Sequence, residues 1–400
     1  VTHTELVALL QSARSAITTR PGVPLALATL VAVDGSSYRQ PGARMLCDAD
    51  GRVLAGAISG GCLEADVALR AADVCARGTA SLIAYDLRED LETIWGFGSG
   101  CEGVAHIMLA PLPDLGELEA ACSSAELRQS GVLLTTIEAT DSACVGRTLF
   151  VRDAAPALAL RSEMNARVQD TVRHTDQPFL GQQTTPSGTE RTFGAPVRPP
   201  VHLIVVGASR GAESFARIGM ATGWRVTVID DRTALLDALE LPSGVQRMQI
   251  APANALDAMK AHVCPVDSRT MFALCTHRFD ADLAWLQAAL ATESPYVGVL
   301  GSRQRAGRLV RSLVEAKPAM RARDRARLFA PIGLDIGGES PDEVALASLA
   351  EMQAVLHSRP GGSLRERQAP LHTRTPTPKL VSEPGAPSCV TPSVTSRERR

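Results

Sequence analysis

Residues 202–231 read HLIVVGASRGAESFARIGMATGWRVTVIDD, and the order of patterns within them decides the fold of the chain's second half. His202 to Val206 is short and, after its first residue, wholly apolar, as a strand buried on both faces must be. A small-residue turn at Gly207 follows, then a helical stretch from Ala212 to Thr222, then a second strand, Arg225 to Ile229, ending at Asp230. The alternation continues with Met271 to Cys275 as strand, Asp280 to Ala291 as helix and Tyr296 to Leu300 as strand. Strict alternation predicts a doubly wound parallel sheet with helices on both faces.

The opening unit has the order of a Rossmann βαβ motif. Gly207 allows the tight turn, Ala212 lets helix and strand approach closely, and Asp230 is placed to bond a ribose hydroxyl. One element departs. The glycine that lets backbone approach a pyrophosphate is replaced by Ser209, with Arg210 beside it and Gly211 one place out of phase. Phosphate binding would then fall to the Ser209 hydroxyl, the helix amides and Arg210, and NAD or NADP stays as an alternative ligand. The later strands end in Thr276–His277 and in Gly301–Ser302–Arg303–Gln304–Arg305, a polar rim on the ligand-facing edge. His277 can carry a proton, and Arg303 and Arg305 can hold a phosphate. Further on, Ser340, Pro341 and Glu343 have the spacing of a helix cap, first helical residue and capping-box partner.

A chain of 400 residues exceeds what one core usually holds, so two folded units are expected. The first, residues 1–160, mixes β runs with a helix from Leu63 to Arg77 and reads as α+β. Residues 161–200 are polar and then proline-rich, which predicts a linker; 201–358 form the Rossmann-like unit. Residues 359–400 hold seven prolines and eight basic against three acidic residues, which predicts a disordered tail. A net charge of −2 supplies no cationic field for nucleic acid or anionic membrane. With no apolar stretch near the roughly 20 residues that span a bilayer, a cytoplasmic protein is expected. Nine cysteines without a CxxC pair argue against a zinc ribbon or a secreted disulfide framework.

Three segments of the first unit share one theme, a β run followed by small residues with a thiol or charge. They are DGSSYRQPGARM (34–45), GAISGGCLEADV (56–67) and GFGSGCEGV (96–104). Glycines with Ser59 and Cys62 before a helix make an amide-rich turn suited to an anion, and a thiolate there can ligate a soft metal centre.

In type and order these segments resemble the XdhC/CoxI family of xanthine dehydrogenase accessory factors. The resemblance continues through VTVIDDR (226–232), CTHRFDADL (275–283), PYVGVLGSRQRAGRL (295–309) and APIGLDIGGESPDEVALASLAE (330–351). It implies a non-catalytic chaperone that binds molybdenum cofactor (molybdopterin), shields it during sulfuration and inserts it into an apo xanthine dehydrogenase or related molybdenum hydroxylase. A cysteine desulfurase would be a further partner, and a homodimer is the expected assembly. Under that resemblance Arg44, Gly60 and Gly61 face the phosphate or the pterin, and Cys62 and Cys101 sit near molybdenum. Ser59, Gly207, Ser209, Asp230, His277, Ser302 and Arg303 complete the expected cofactor-binding set. Cys101–Glu102–Gly103 stands where the family has a CGG-like segment. Two other readings remain: a nicotinamide-dependent oxidoreductase using His277 or Cys62 for proton transfer, and a cofactor-free scaffold that bridges a desulfurase to its target.

Overall fold

The computed structural model describes residues 2–35, 37–87, 103–152, 162–174, 177–186, 188–261, 265–316, 322–368 and 383–384. The chain divides into two compact units, Val1–Pro199 with Thr373–Arg400, and Pro200–His372.

The first unit opens with α1 (His3–Thr19), capped by a reciprocal box between Thr2 and Glu5. It continues with β1 (Leu25–Gly35), β2 (Arg44–Asp48), β3 (Val53–Gly56), α2 (Glu64–Arg77), β4 (Ser81–Asp86) and β5 (Gly103–Pro111). Next come α3 (Gly116–Glu126), β6 (Gly131–Ala139), β7 (Thr148–Arg152), α4 (Ser162–His174), β8 (Phe179–Thr185) and β9 (Gly188–Val197). One sheet has the order β4-β5-β1-β2-β3 and a second the order β7-β6-β9-β8, with antiparallel pairing throughout these strands. Alternation along β1 and β5 sends Ala26, Ala28, Leu30, Ile107 and Leu109 to one face, where Leu63, Val67, Ala71 and Val74 of the α2 region cover them. On the other face Val31, Leu82 and Met108 pack against Ile137, Phe193 and Ala195 of the second sheet.

The segment 161–200, expected to be a linker, instead supplies α4 and the β8–β9 hairpin that completes the second sheet. Its polarity has a structural cause. β8 and the first half of β9 are only partly buried, so polar and apolar residues mix along them.

The second unit runs β10 (His202–Val206), α5 (Arg210–Ala221), β11 (Arg225–Asp230), α6 (Thr233–Asp237), β12 (Gln246–Gln249), α7 (Ala255–Lys260), β13 (Thr270–Leu274) and α8 (Phe279–Leu290). It ends with β14 (Tyr296–Val299), α9 (Arg303–Ala316), α10 (Ala322–Ala326), β15 (Leu328–Phe329) and α11 (Pro341–Leu356). All six strands are parallel in the order β12-β11-β10-β13-β14-β15, the Rossmann arrangement. α5 and α11 cover one face through Phe215, Ala216, Leu349 and Met352; α7, α8 and α9 cover the other through Met259, Trp285, Leu309 and Leu313. The Ser340–Glu343 capping box forms as its spacing predicts, with Pro341 opening α11.

Of the tail, residues 359–368 carry one 3₁₀ turn, Leu364–Glu366. Glu383–Pro384 forms β16, which adds in parallel to β4 opposite Ile83 and Ala84 and so departs from the expected disorder. The remaining tail residues lie outside those described.

Candidate functional site

Antiparallel pairing brings the three glycine-bearing segments of the first unit to one end of its first sheet. β1 ends at Gly35 opposite Gly103, which begins β5; β2 begins at Arg44 beside the end of β3 at Gly56. The 34–45 and 56–67 segments therefore leave the sheet side by side, and 96–104 enters it at the same edge. The first two also touch, since a Cβ added to Gly60 would lie 3.4 Å from Cγ of Tyr38.

The Ile58–Leu63 loop is closed on itself. The Glu64 carboxylate accepts the Ser59 amide at 2.8 Å, the Ile58 amide at 3.1 Å and the Ser59 hydroxyl. The same hydroxyl accepts the amides of Gly61 and Leu63, each at 3.1 Å. Burial alone would raise the Glu64 pKa, but the Ser59 hydroxyl and the loop amides outweigh it and hold the carboxyl below its ordinary value. The turn read from sequence as an anion receptor thus already contains an anion, and Ser59 is a buried positioning residue. Gly61, at φ +112°, takes a backbone conformation that glycine adopts freely, and Cys62 stands exposed at the loop's surface.

Arg44 is 3% exposed. Alternation along β2 places it on the face of Leu46, away from Met45 and Cys47, which pack with α2. Burial lowers its pKa to about 10, which leaves the guanidinium charged at neutral pH. His106 on β5 lies 3.7 Å from Asp34 on β1; burial lowers its pKa, against the pull of Asp34. Cys101 falls outside the described residues. Among the described residues no three His, Cys, Asp or Glu side chains gather as a metal site.

In the second unit the parallel sheet places Gly207, Ser209, Asp230, His277, Ser302 and Arg303 along one carboxyl edge, with the switch point between β10 and β13. Gly207, at φ +119°, is required sterically, because a Cβ there would meet the Cys275 carbonyl oxygen at 2.5 Å. Ser209 precedes α5 without capping it through its side chain. Asp230 differs from expectation. Its Oδ1 accepts the Arg232 amide at 2.9 Å and Arg232 Nε at 2.8 Å, and its Oδ2 accepts the Ala208 amide at 2.7 Å and Arg232 Nη2 at 2.8 Å. A carboxylate offers about four lone-pair positions, so none is left for a ribose hydroxyl. Burial opposes the charge, but the Arg232 side chain and the two amides hold the Asp230 carboxyl well below the usual range. His277 is exposed at φ +59°. Ser302 accepts the Arg305 amide at 3.3 Å, Arg303 is exposed, and Arg305 pairs with the fully buried Asp282 at 2.6 Å.

Sequence reasoning assigned no role to Glu64, Tyr38, Asp34 or His106. Glu64 had a usable signal, a carboxylate two residues past a small-residue turn at the head of a helix. His106 had none, because its partner is set by sheet register.

The fold and sites define a class: a mixed α/β unit with converging glycine-bearing loops, followed by a Rossmann unit whose ribose-binding position is internally occupied. A family profile described as "XdhC and CoxI family" matches residues 18–86, and one described as "XdhC Rossmann domain" matches residues 203–352. The chain belongs to the XdhC and CoxI family. It is 28% identical over 353 residues to a protein of Bacillus subtilis named as a probable xanthine dehydrogenase component, covering 88% of this chain and 96% of that one. It is 26% identical over 333 residues to the molybdenum cofactor insertion chaperone PaoD of Escherichia coli, covering 82% of each. A crystal structure described as a xanthine dehydrogenase from Bacillus halodurans shares the fold, with a TM-score of 0.67 and 24% identity over 90% of this chain and 97% of that chain.

Proposed function

We propose that this protein is an accessory factor that binds molybdenum cofactor as cargo, protects it during sulfuration and inserts it into a xanthine dehydrogenase or related molybdenum hydroxylase. The convergence of Arg44, Gly60, Gly61 and Cys62 on one end of the first sheet carries this reading, and the likeness to PaoD across most of both chains supports it. The cargo carries a phosphate, a pterin and a dithiolene-bound metal. The residues present suit it: Arg44 supplies a buried cation, Gly60 and Gly61 open backbone to the pterin edge, and Cys62 offers an exposed thiol. Ser59 and Glu64 hold that loop in place without touching the cargo. A cysteine desulfurase would act as sulfur donor. The saturated Asp230 speaks against the nicotinamide-dependent alternative.

The test is transfer. The protein, isolated with its cargo, is mixed with an apo molybdenum hydroxylase, and hydroxylase activity is followed with and without prior sulfuration. Activation that depends on this protein, and falls when Cys62 is replaced by Ser, supports the reading. Activation equal to that by free cofactor removes it.

A further inference from the structure

We propose that Arg44 anchors a phosphate site in the first unit, its guanidinium edge receiving two oxygens of one phosphate group. The side chain is 3% exposed, and its one hydrogen bond among the described residues runs from Nη1 to the Gly42 carbonyl at 3.4 Å. Nε and Nη2 reach neither solvent nor any acceptor among those residues. A guanidinium stays charged when buried, and a buried charge without a partner is strongly unfavourable.

Arg327 shows how this protein treats a buried arginine with a structural task. It is 9% exposed and donates from Nη1 to the Thr292 and Ser294 carbonyls and from Nη2 to the Leu290 carbonyl and Asp324. Arg44 lacks any such set among the described residues. Its two unmatched nitrogens, Nε and Nη2, form the side of the guanidinium that presents parallel N–H groups, the pattern that binds two oxygens of one oxyanion. The residue also opens β2 at the end of the sheet where the glycine-bearing segments meet. Because solvent does not reach the two nitrogens, the phosphate enters by displacing the chain that covers them, so uptake is slower than diffusion.

The phosphate can be inorganic or can belong to the proposed cargo; the second case rests on the function proposed above. The full chain is made in a host unable to synthesise molybdopterin. Its thermal midpoint is followed against inorganic phosphate, acetate and chloride at matched ionic strength, for the wild type, Arg44→Met and Arg44→Lys. The wild type should show a saturable rise with phosphate beyond that with acetate or chloride. Arg44→Met should show none, and Arg44→Lys, which keeps the charge without the paired donors, should bind about tenfold more weakly. An equal rise in Arg44→Met, an equal rise with acetate, or no rise in the wild type overturns the proposal. Should Arg44→Met fail to fold, ³¹P line broadening of phosphate by the wild type, reduced by Arg44→Lys, decides in its place; no broadening, or broadening that Arg44→Lys leaves unchanged, overturns it. Repeating the titration on pterin-loaded protein separates the sources. A lost phosphate effect assigns the site to the cargo's phosphate, and a retained one assigns it to free phosphate. The pterin-free result stands or falls whether or not the protein carries cofactor.

Discussion

The Ser59 hydroxyl donates to the Glu64 carboxylate while accepting the amides of Gly61 and Leu63, so a single side chain at the head of α2 fixes how Gly60, Gly61 and Cys62 are presented. The loop is rigid because its own groups satisfy one another. Ligand binding by the exposed part then needs no ordering of the chain, which lowers the entropic penalty of association.

Ser59→Ala should therefore lower stability by about 1–3 kcal/mol, since it leaves two amides and part of a carboxylate without partners. Chemical denaturation measures this. Glu64→Gln should act similarly at neutral pH, with a further signature. The folded Glu64 pKa lies below its ordinary 4.5, so its contribution is full above that pH and is lost as pH falls through the lowered value. The gap between wild type and Glu64→Gln should close on acidification from about pH 5 downward.

Gly207→Ala should destabilise the second unit by about 3 kcal/mol, combining a positive φ with a clash against backbone that cannot turn aside. The Ala208→Gly change next to it lacks this clash and serves as the control in thermal melts.

Asp230 holds four hydrogen bonds, and a bound nucleotide would have to displace Arg232. Titration with NADH or NADPH, followed by nicotinamide fluorescence, should show no saturable binding in the micromolar range. Asp230→Asn should cost about 1–3 kcal/mol through weakened charge-assisted bonds, without any change in that titration.

The parts of the structure legible in the sequence are those with local causes. Residues 202–231 are readable because central parallel strands are continuous apolar runs, and the Ser340–Glu343 cap because its spacing is its mechanism. The β8–β9 hairpin is hidden because it is half exposed and reads as polar connection. The meeting of Gly35 with Gly103 is equally hidden, since it depends on register between strands some seventy residues apart. The four bonds on Asp230 are partly legible: an arginine two residues beyond an acidic strand end is a local cue that carries little weight beside the Rossmann spacing.

Cysteine accessibility offers a simple check on the site's exposure. Cys62 is exposed, whereas Cys47, Cys122 and Cys275 are buried. Burial pushes the Cys47 and Cys275 thiols up to about 12 and Cys122 to about 11. Alkylation of native protein followed by peptide mapping should modify Cys62 well before these three, which should react only on unfolding.

Purification from a host that makes molybdenum cofactor, under anaerobic conditions, gives the most direct test of the carrier role. Pterin is measured by acid oxidation to its fluorescent form and molybdenum by elemental analysis of the same sample. The account predicts both near one per chain in the wild type and a marked loss of both when Arg44 or the Gly60–Cys62 loop is altered in protein that still folds. Folded wild-type protein with neither pterin nor molybdenum above background would contradict it.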